Sequence, residues 1–190
     1  MIGMTNEAQN ISDNIVNIND HVPASVGGLR GHIVRRITHI SMMVIPFLYY
    51  WNGTNISNFF FELEPKQFVS IVAFIFVLIE IVRLRMGFVV FGQRDYESEQ
   101  ISAFFWGGFS VCLVLIISPE VGIENSAFGF PLILGLTLVD PLMGELRRAN
   151  WSTRNVIVIA YIGTISIWIF CHYIFCLLYT SDAADDTPCV

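Results

Sequence analysis

The sequence predicts an all-α fold: a polytopic bundle of about five transmembrane helices. Three observations carry that expectation. The first is composition. Of 190 residues, 54% are hydrophobic and only 14% charged, and the mean hydropathy is +0.62. A soluble domain of this length does not carry so much apolar surface with so few charges. The second is a regular series of apolar runs, none of which leaves a polar face for water. The third is where the basic residues lie. Threading five spans with the N-terminus in the cytoplasm puts Arg30, Arg35, Arg36, Arg83, Arg85, Arg94, Arg147, Arg148 and Arg154 on the cytoplasmic side. Only Lys66 falls outside, and the opposite orientation reverses the known positive-inside bias. The formal charge of −6 is a poor guide, because part of the acid (Glu7, Asp13, Asp20, Asp182, Asp185, Asp186) lies in the two tails while the arginines lie beside the apolar runs.

Residues Met1 to Gly28 are polar, rich in Asn and Asp, and nearly free of aromatics. They are expected to form a disordered cytoplasmic tail. No signal peptide is visible, since the first long apolar run begins near Ile37 with no cleavage site after it. The transmembrane helical domain is expected over residues 29–175. Its first span has a basic head (Arg30, His32, Arg35, Arg36, His39), an apolar run from Ile40, and Tyr49, Tyr50 and Trp51 at the far interface. Pro46 is placed to kink it. Asn52 to Lys66 reads as a loop, Gln67 to Leu84 as the second span, and Arg85 to Gln100 as a polar loop. Ile101 to Ser118 is the third span, with Gly107 and Gly108 allowing a neighbouring helix to come close. Pro119 to Asn125 is a short acidic turn, Ser126 to Met143 the fourth span, Gly144 to Asn155 a basic loop, and Val156 to about Phe175 the fifth span.

Residues 176–190 change abruptly from apolar to small and acidic, and resemble the translation of an adapter used in sequencing libraries. They are read as read-through rather than native sequence, with the natural chain continuing beyond Phe175. The cysteines Cys112, Cys171, Cys176 and Cys189 show no metal or redox spacing and are read as small hydrophobes. There is no P-loop, no nucleophile triad and no cluster of Cys and His. No nucleic-acid partner is expected, and the oligomeric state is open.

The chain is organised around Leu136 to Arg148, where an apolar run takes up Asp140 and Pro141 and leaves through an arginine pair. An acid at membrane depth is costly and usually faces a bundle interior or a wet cavity. The carbonyl upstream of Pro141 must also find a partner. Other polar residues reach the same membrane level: Arg36 and His39 on one face of the first span, Glu80 and Arg83 at the inner end of the second, and Arg94 and Glu97 before the third. Acids that hold magnesium and arginines that hold phosphates would thus converge where cytoplasmic nucleotides are found. On this reading Asp140 and Glu80 are catalytic, with Asp140 the metal ligand. Arg36, His39, Arg83, Arg94, Glu97, Arg147 and Arg148 bind substrate. Each has a plainer role beside it: Glu80 and Arg83 as an interfacial helix pair, Arg147 and Arg148 as topology anchors, and His39 as a packed interfacial residue.

Four short motifs, in order, carry a family resemblance. Arg35-Arg36-Ile37-Thr38-His39, Glu80-Ile81-Val82-Arg83, Arg94-Asp95-Tyr96-Glu97 leading into Ile101-Ser102-Ala103, and Asp140-Pro141-Leu142-Met143-Gly144 are similar to motifs of the dolichol, polyprenol and phytol kinase family. That family is related to the phosphatidate cytidylyltransferases. The resemblance implies an integral membrane enzyme that transfers a phosphoryl group from a nucleotide, typically CTP, to an isoprenoid alcohol; Mg2+ is the cofactor expected from the converging acids. The chain departs from the pattern after Asp140. The family usually has a glycine–arginine pair, a lysine-bearing stretch and a serine, whereas here Glu145-Leu146-Arg147-Arg148-Ala149-Asn150-Trp151 follows and no lysine comes after it. The competing reading is a non-catalytic membrane protein, either a transporter fragment or an assembly subunit. A transporter should carry acids near the midplane and an internal repeat, and neither is found.

Overall fold

The fold was determined as a computed structural model, which describes residues 25–119, 122 and 126–182. Most of the N-terminal tail (1–24), nearly all of the acidic turn (120–121 and 123–125) and residues 183–190 lie outside the described residues. Among the described residues every regular element is helical: α1 (Gly28–Ser41), α2 (Val44–Phe61), α3 (Pro65–Met86), a 3₁₀ turn (Asp95–Ser98), α4 (Ala103–Ile117), α5 (Ser126–Leu134), a π-helical turn (Gly135–Val139), α6 (Asp140–Arg148) and α7 (Thr153–Asp182). Three helices are long and apolar enough to cross a membrane, namely Pro65–Met86, Ser126–Arg148 and Thr153–Phe175. Helix α4 is a shorter apolar helix of 15 residues.

The predicted first span forms two helices joined at Met42 and Met43. The joint is a tight turn with i→i−3 bonds. Met42 N–H donates to the His39 carbonyl (3.3 Å), Met43 N–H to Ile40 (3.0 Å) and Ile45 N–H to Met42 (3.1 Å). Pro46 explains it. The α-helical partner of the Met42 carbonyl would be residue 46, which has no N–H, so the carbonyl is taken up one residue earlier.

Two expected loops are helical instead. Helix α2 continues through the polar run Asn52 to Asn58 as far as Phe61, leaving only a short turn before Pro65. Ser57, fully buried, donates its hydroxyl to the Thr54 carbonyl at 3.1 Å, and Phe60 stacks on Phe68 of α3. The hydroxyl is thus satisfied locally and the aromatics supply the packing, so polarity does not end the helix. The fourth span likewise does not stop at Met143. It passes through α6 to Arg148 and ends at Asn150, whose φ of 58° is left-handed. There Asn150 and Trp151 N–H donate to the carbonyls of Arg147 and Leu146 at 3.0 and 3.1 Å, closing the helix end.

The core is formed by Tyr49 and Tyr50 of α2, Val69 and Ala73 of α3, Val111 and Leu115 of α4, Phe130 and Ile133 of α5, and Cys171 and Phe175 of α7. Lipid tails are as apolar as these side chains, so association inside a bilayer rests on close packing more than on water release. The glycines provide that closeness. A Cβ on Gly108 would lie 3.1 Å from the Phe76 ring of α3, and one on Gly107 would lie 3.5 Å from Met42. Cys112 and Cys171 are buried and free, consistent with a packing role. The expected boundary near Phe175 coincides with no break in the backbone, since α7 runs on to Asp182.

Candidate functional site

Arg35 and Arg36 are adjacent in sequence and therefore about 100° apart around α1. That separation divides the polar residues of the bundle into two groups with different chemistry.

The first group is buried. Glu80 and Arg83, one turn apart on α3, form a bidentate pair: Nε donates to Oε2 at 3.0 Å and Nη2 to Oε1 at 2.8 Å. Ser102, the cap of α4, completes the carboxylate with its backbone N–H (2.6 Å) and its hydroxyl (3.1 Å). Arg83, only 2% exposed, spends its remaining donors on the carbonyls of Phe88, Glu97 and Gln100. Glu97, also 2% exposed, accepts from Arg35 Nη1 at 2.6 Å, from the Arg94 N–H at 3.3 Å and from the Ala103 N–H at 3.1 Å. A charge taken out of water is tolerated only when paired and fully hydrogen-bonded. This group meets that condition, and so pins the α3–α4 connection to α1, α3 and the start of α4.

The sequence reading made Glu80 catalytic and gave Arg83 and Glu97 to substrate; in the fold all three are parts of this buried network. Their donors and acceptors are already committed, and none has a free face. The expected interfacial pair of Glu80 and Arg83 is a buried one. Arg94 also turns away from the candidate site, donating Nη1 to the Tyr96 hydroxyl with its guanidinium 5.7 Å from that ring.

The second group lies between α1 and the π turn with α6. His32, Arg36 and His39 fall at i, i+4 and i+7 and share one stripe of α1. Facing them, Glu145 receives Arg36 Nη2 at 3.0 Å, His32 Nε2 at 3.4 Å and Arg148 Nη1 at 3.4 Å. Burial is the main influence on His32 and lowers its pKa from 6.5; the hydrogen bond to Glu145 opposes the shift, and the charges of Arg36 and Arg148 add to it. The imidazole is thus neutral near pH 7 and donates its Nε2 proton to Glu145. Gly144 gives Arg36 its seat: a Cβ there would come within 2.6 Å of Nη2.

Asp140 follows directly on the π turn. In a π register the Leu136 carbonyl would look to residue 141 for its donor, and Pro141 has no N–H. His39 Nε2 fills that vacancy at 3.0 Å and also lies 3.8 Å from the Asp140 carboxylate. A carbonyl only accepts, so Nε2 carries the proton. Asp140 is not the buried acid the sequence suggested, because its side chain is 60% exposed. The helix is still packed at this point, with Val139 and Pro141 buried on either side, and Asp140 lies on its outward face. Arg147 is exposed and in no ion pair among the described residues.

Of the residues predicted to converge, the fold therefore brings Arg36, His39, Asp140 and Arg148 to one half-open face and leaves Arg147 at its rim. His32, Gly144 and Glu145 belong to the same face and were not assigned from sequence. The i, i+4, i+7 stripe was the signal for His32. For Glu145 there was none beyond its place beside the arginine pair. Among the described residues no group of three or more His, Cys, Asp or Glu is gathered to hold a metal ion. Three arginines (Arg36, Arg147, Arg148) against two carboxylates (Asp140, Glu145) leave the face net positive before either histidine is charged. Such a face suits an anion. Asp140, exposed and with one close polar neighbour, suits a hydrated Mg2+ carried in by phosphates, which commonly uses one or two protein carboxylates. No protein-family model, curated protein or solved structure matches the chain.

Proposed function

We propose that the chain is a five-span integral membrane protein with its N-terminus in the cytoplasm, and that the face between α1 and α6 binds a phosphorylated substrate at the membrane surface. The observation that carries this reading is the set of three basic side chains, His32, Arg36 and Arg148, converging on one half-exposed carboxylate beside the exposed Asp140. Interfacial phosphate recognition needs several donors spaced for one tetrahedral anion, and arginine is the residue best suited to it.

The activity that fits such a face, and that the sequence motifs suggest, is transfer of a phosphoryl group from a nucleotide such as CTP to an isoprenoid alcohol. Phosphoryl transfer relies on positioning and charge stabilisation rather than on covalent protein chemistry. Arg36 and Arg148 would hold phosphate oxygens and Arg147 would screen them from the rim. Asp140 would be the protein ligand of Mg2+, which supplies charge neutralisation when bound. His39 holds the π turn, and with it the direction of Asp140. The alcohol would reach the face from the bilayer, against which α7 presents almost its whole apolar length.

The test is the protein in lipid discs supplied with labelled CTP, Mg2+ and mixed isoprenoid alcohols. Transfer is expected for the parent and lost by two or more orders of magnitude for Asp140→Asn, with folding unchanged. No transfer from any nucleotide, or equal transfer by Asp140→Asn, removes the kinase reading. A non-catalytic assembly subunit is the second reading. It is favoured by Thr153–Phe175 of α7, whose most apolar stretch is only 6% buried, leaving a long apolar segment with room for a partner as well as for lipid.

A further inference from the structure

We propose that Glu145 is a tethered stand-in for the ligand's phosphate: it occupies the anion pocket formed by His32, Arg36 and Arg148, and an incoming phosphate must displace it. The inference rests on the phosphate-binding reading above and adds a built-in competitor to it.

Three observations carry it. Glu145 Oε1 takes both Arg36 Nη2 (3.0 Å) and His32 Nε2 (3.4 Å), while Oε2 takes Arg148 Nη1 (3.4 Å). The donors come from two helices far apart in sequence, and together they outnumber the carboxylate's negative charge. The Glu145 side chain nevertheless remains 45% exposed, so these contacts are screened and weak, and the carboxylate can leave. Arg36 also has an unmet donor: its Nε is shielded from solvent and has no acceptor. A shielded donor without a partner is costly, and a carboxylate with two oxygens has not satisfied it. A phosphate with three or more oxygens can take Nε and Nη2 of the same guanidinium side by side, the bidentate arrangement that planar arginine prefers. Gly144 leaves the space for this, because a Cβ at that position would lie 2.6 Å from Arg36 Nη2 and 3.3 Å from Nη1.

Displacement needs no backbone change. Glu145 is half-exposed at the edge of the α1–α6 contact, one turn before the end of α6, and a rotamer change swings the carboxylate into water.

The probe is inorganic pyrophosphate, titrated calorimetrically into the full chain in phosphatidylcholine discs. Glu145→Gln, which keeps the shape but removes the competing charge, is expected to bind pyrophosphate about fivefold more tightly than the parent. Arg36→Gln is expected to bind at least about tenfold more weakly. Gly144→Ala, which pushes the guanidinium off its seat with no change of charge, should also weaken binding while the protein melts as the parent does. If Glu145→Gln binds no better than the parent while Arg36→Gln is impaired, the stand-in role is overturned and the phosphate site remains. If neither the parent nor Glu145→Gln binds pyrophosphate, both readings fall. A repeat in discs containing phosphatidic acid separates the sources. Loss of pyrophosphate binding there by Glu145→Gln assigns the pocket to a lipid headgroup phosphate, and retained binding assigns it to a soluble one; each result supports the phosphate class.

Discussion

Replacing Glu80 by Gln separates a structural acid from a catalytic one. The Glu80 carboxylate accepts from Arg83 Nε, Arg83 Nη2, Ser102 N–H and the Ser102 hydroxyl, and its amide isostere can keep at most part of that set. The larger loss is electrostatic. Arg83, 2% exposed, would be left as a buried cation with only carbonyls and the distal Glu97 charge around it. Removing one partner of a buried pair typically costs about 3–5 kcal/mol. For a domain of this size each kcal/mol moves the melting temperature by about 2–4 °C, so a fall of roughly 10 °C is expected. The assay is thermal unfolding in detergent, read by intrinsic fluorescence. Asp140→Asn serves as the contrast and should melt within about 2 °C of the parent, because an exposed side chain contributes little. A double variant, Glu80→Gln with Arg83→Met, should regain part of the loss, since the stranded charge is gone. If Glu80→Gln melts with the parent, the buried lock does not hold the α3–α4 connection, and a catalytic Glu80 returns.

Two further outcomes concern the histidines. His39→Phe leaves the Leu136 carbonyl without its donor (3.0 Å in the parent), which should cost about 1–3 kcal/mol and speed amide exchange in the π turn; His39→Gln, which retains a side-chain N–H, should lose less. For His32, burial lowers the folded pKa below 6.5, so on acidification the unfolded chain takes up this proton first. The stability that His32 contributes is present above pH 6.5 and is lost as pH falls through the lower folded value; unfolding followed from pH 7.5 to 5 should show a steeper decline in the parent than in His32→Gln.

The apolar runs made the helices legible, because continuous hydrophobicity over long segments has few other uses. Boundaries were less legible for a physical reason. The run Asn52 to Asn58 is polar enough to signal a loop, yet Ser57 finds the Thr54 carbonyl within its own helix, so the turn signal is spent internally. The π turn at Gly135–Val139 was not foreseeable from Pro141 alone, since a proline at the start of a new α register ordinarily costs nothing. At the site, spacing put Arg36 and His39 on one face correctly. It could not reveal that Arg35 and Arg36 serve different neighbours, because that depends on which helices pack on either side of α1. Charge type alone also left Glu80 and Asp140 equivalent. Burial distinguishes them: the acid near the end of the apolar α3 is locked to Arg83 and Ser102, and the one after the π turn is exposed.

The orientation we propose places the basic α1–α6 face of the bundle on the cytoplasmic side of the membrane. Cysteine accessibility tests it most directly, using a probe cysteine at Arg147, exposed on α6, and another at Glu62, exposed in the turn between α2 and α3. In sealed inside-out vesicles an impermeant maleimide is expected to label Arg147→Cys and spare Glu62→Cys, and in right-side-out vesicles the pattern should reverse. Labelling of both positions from the same side, or of Arg147→Cys only from outside, would contradict the account.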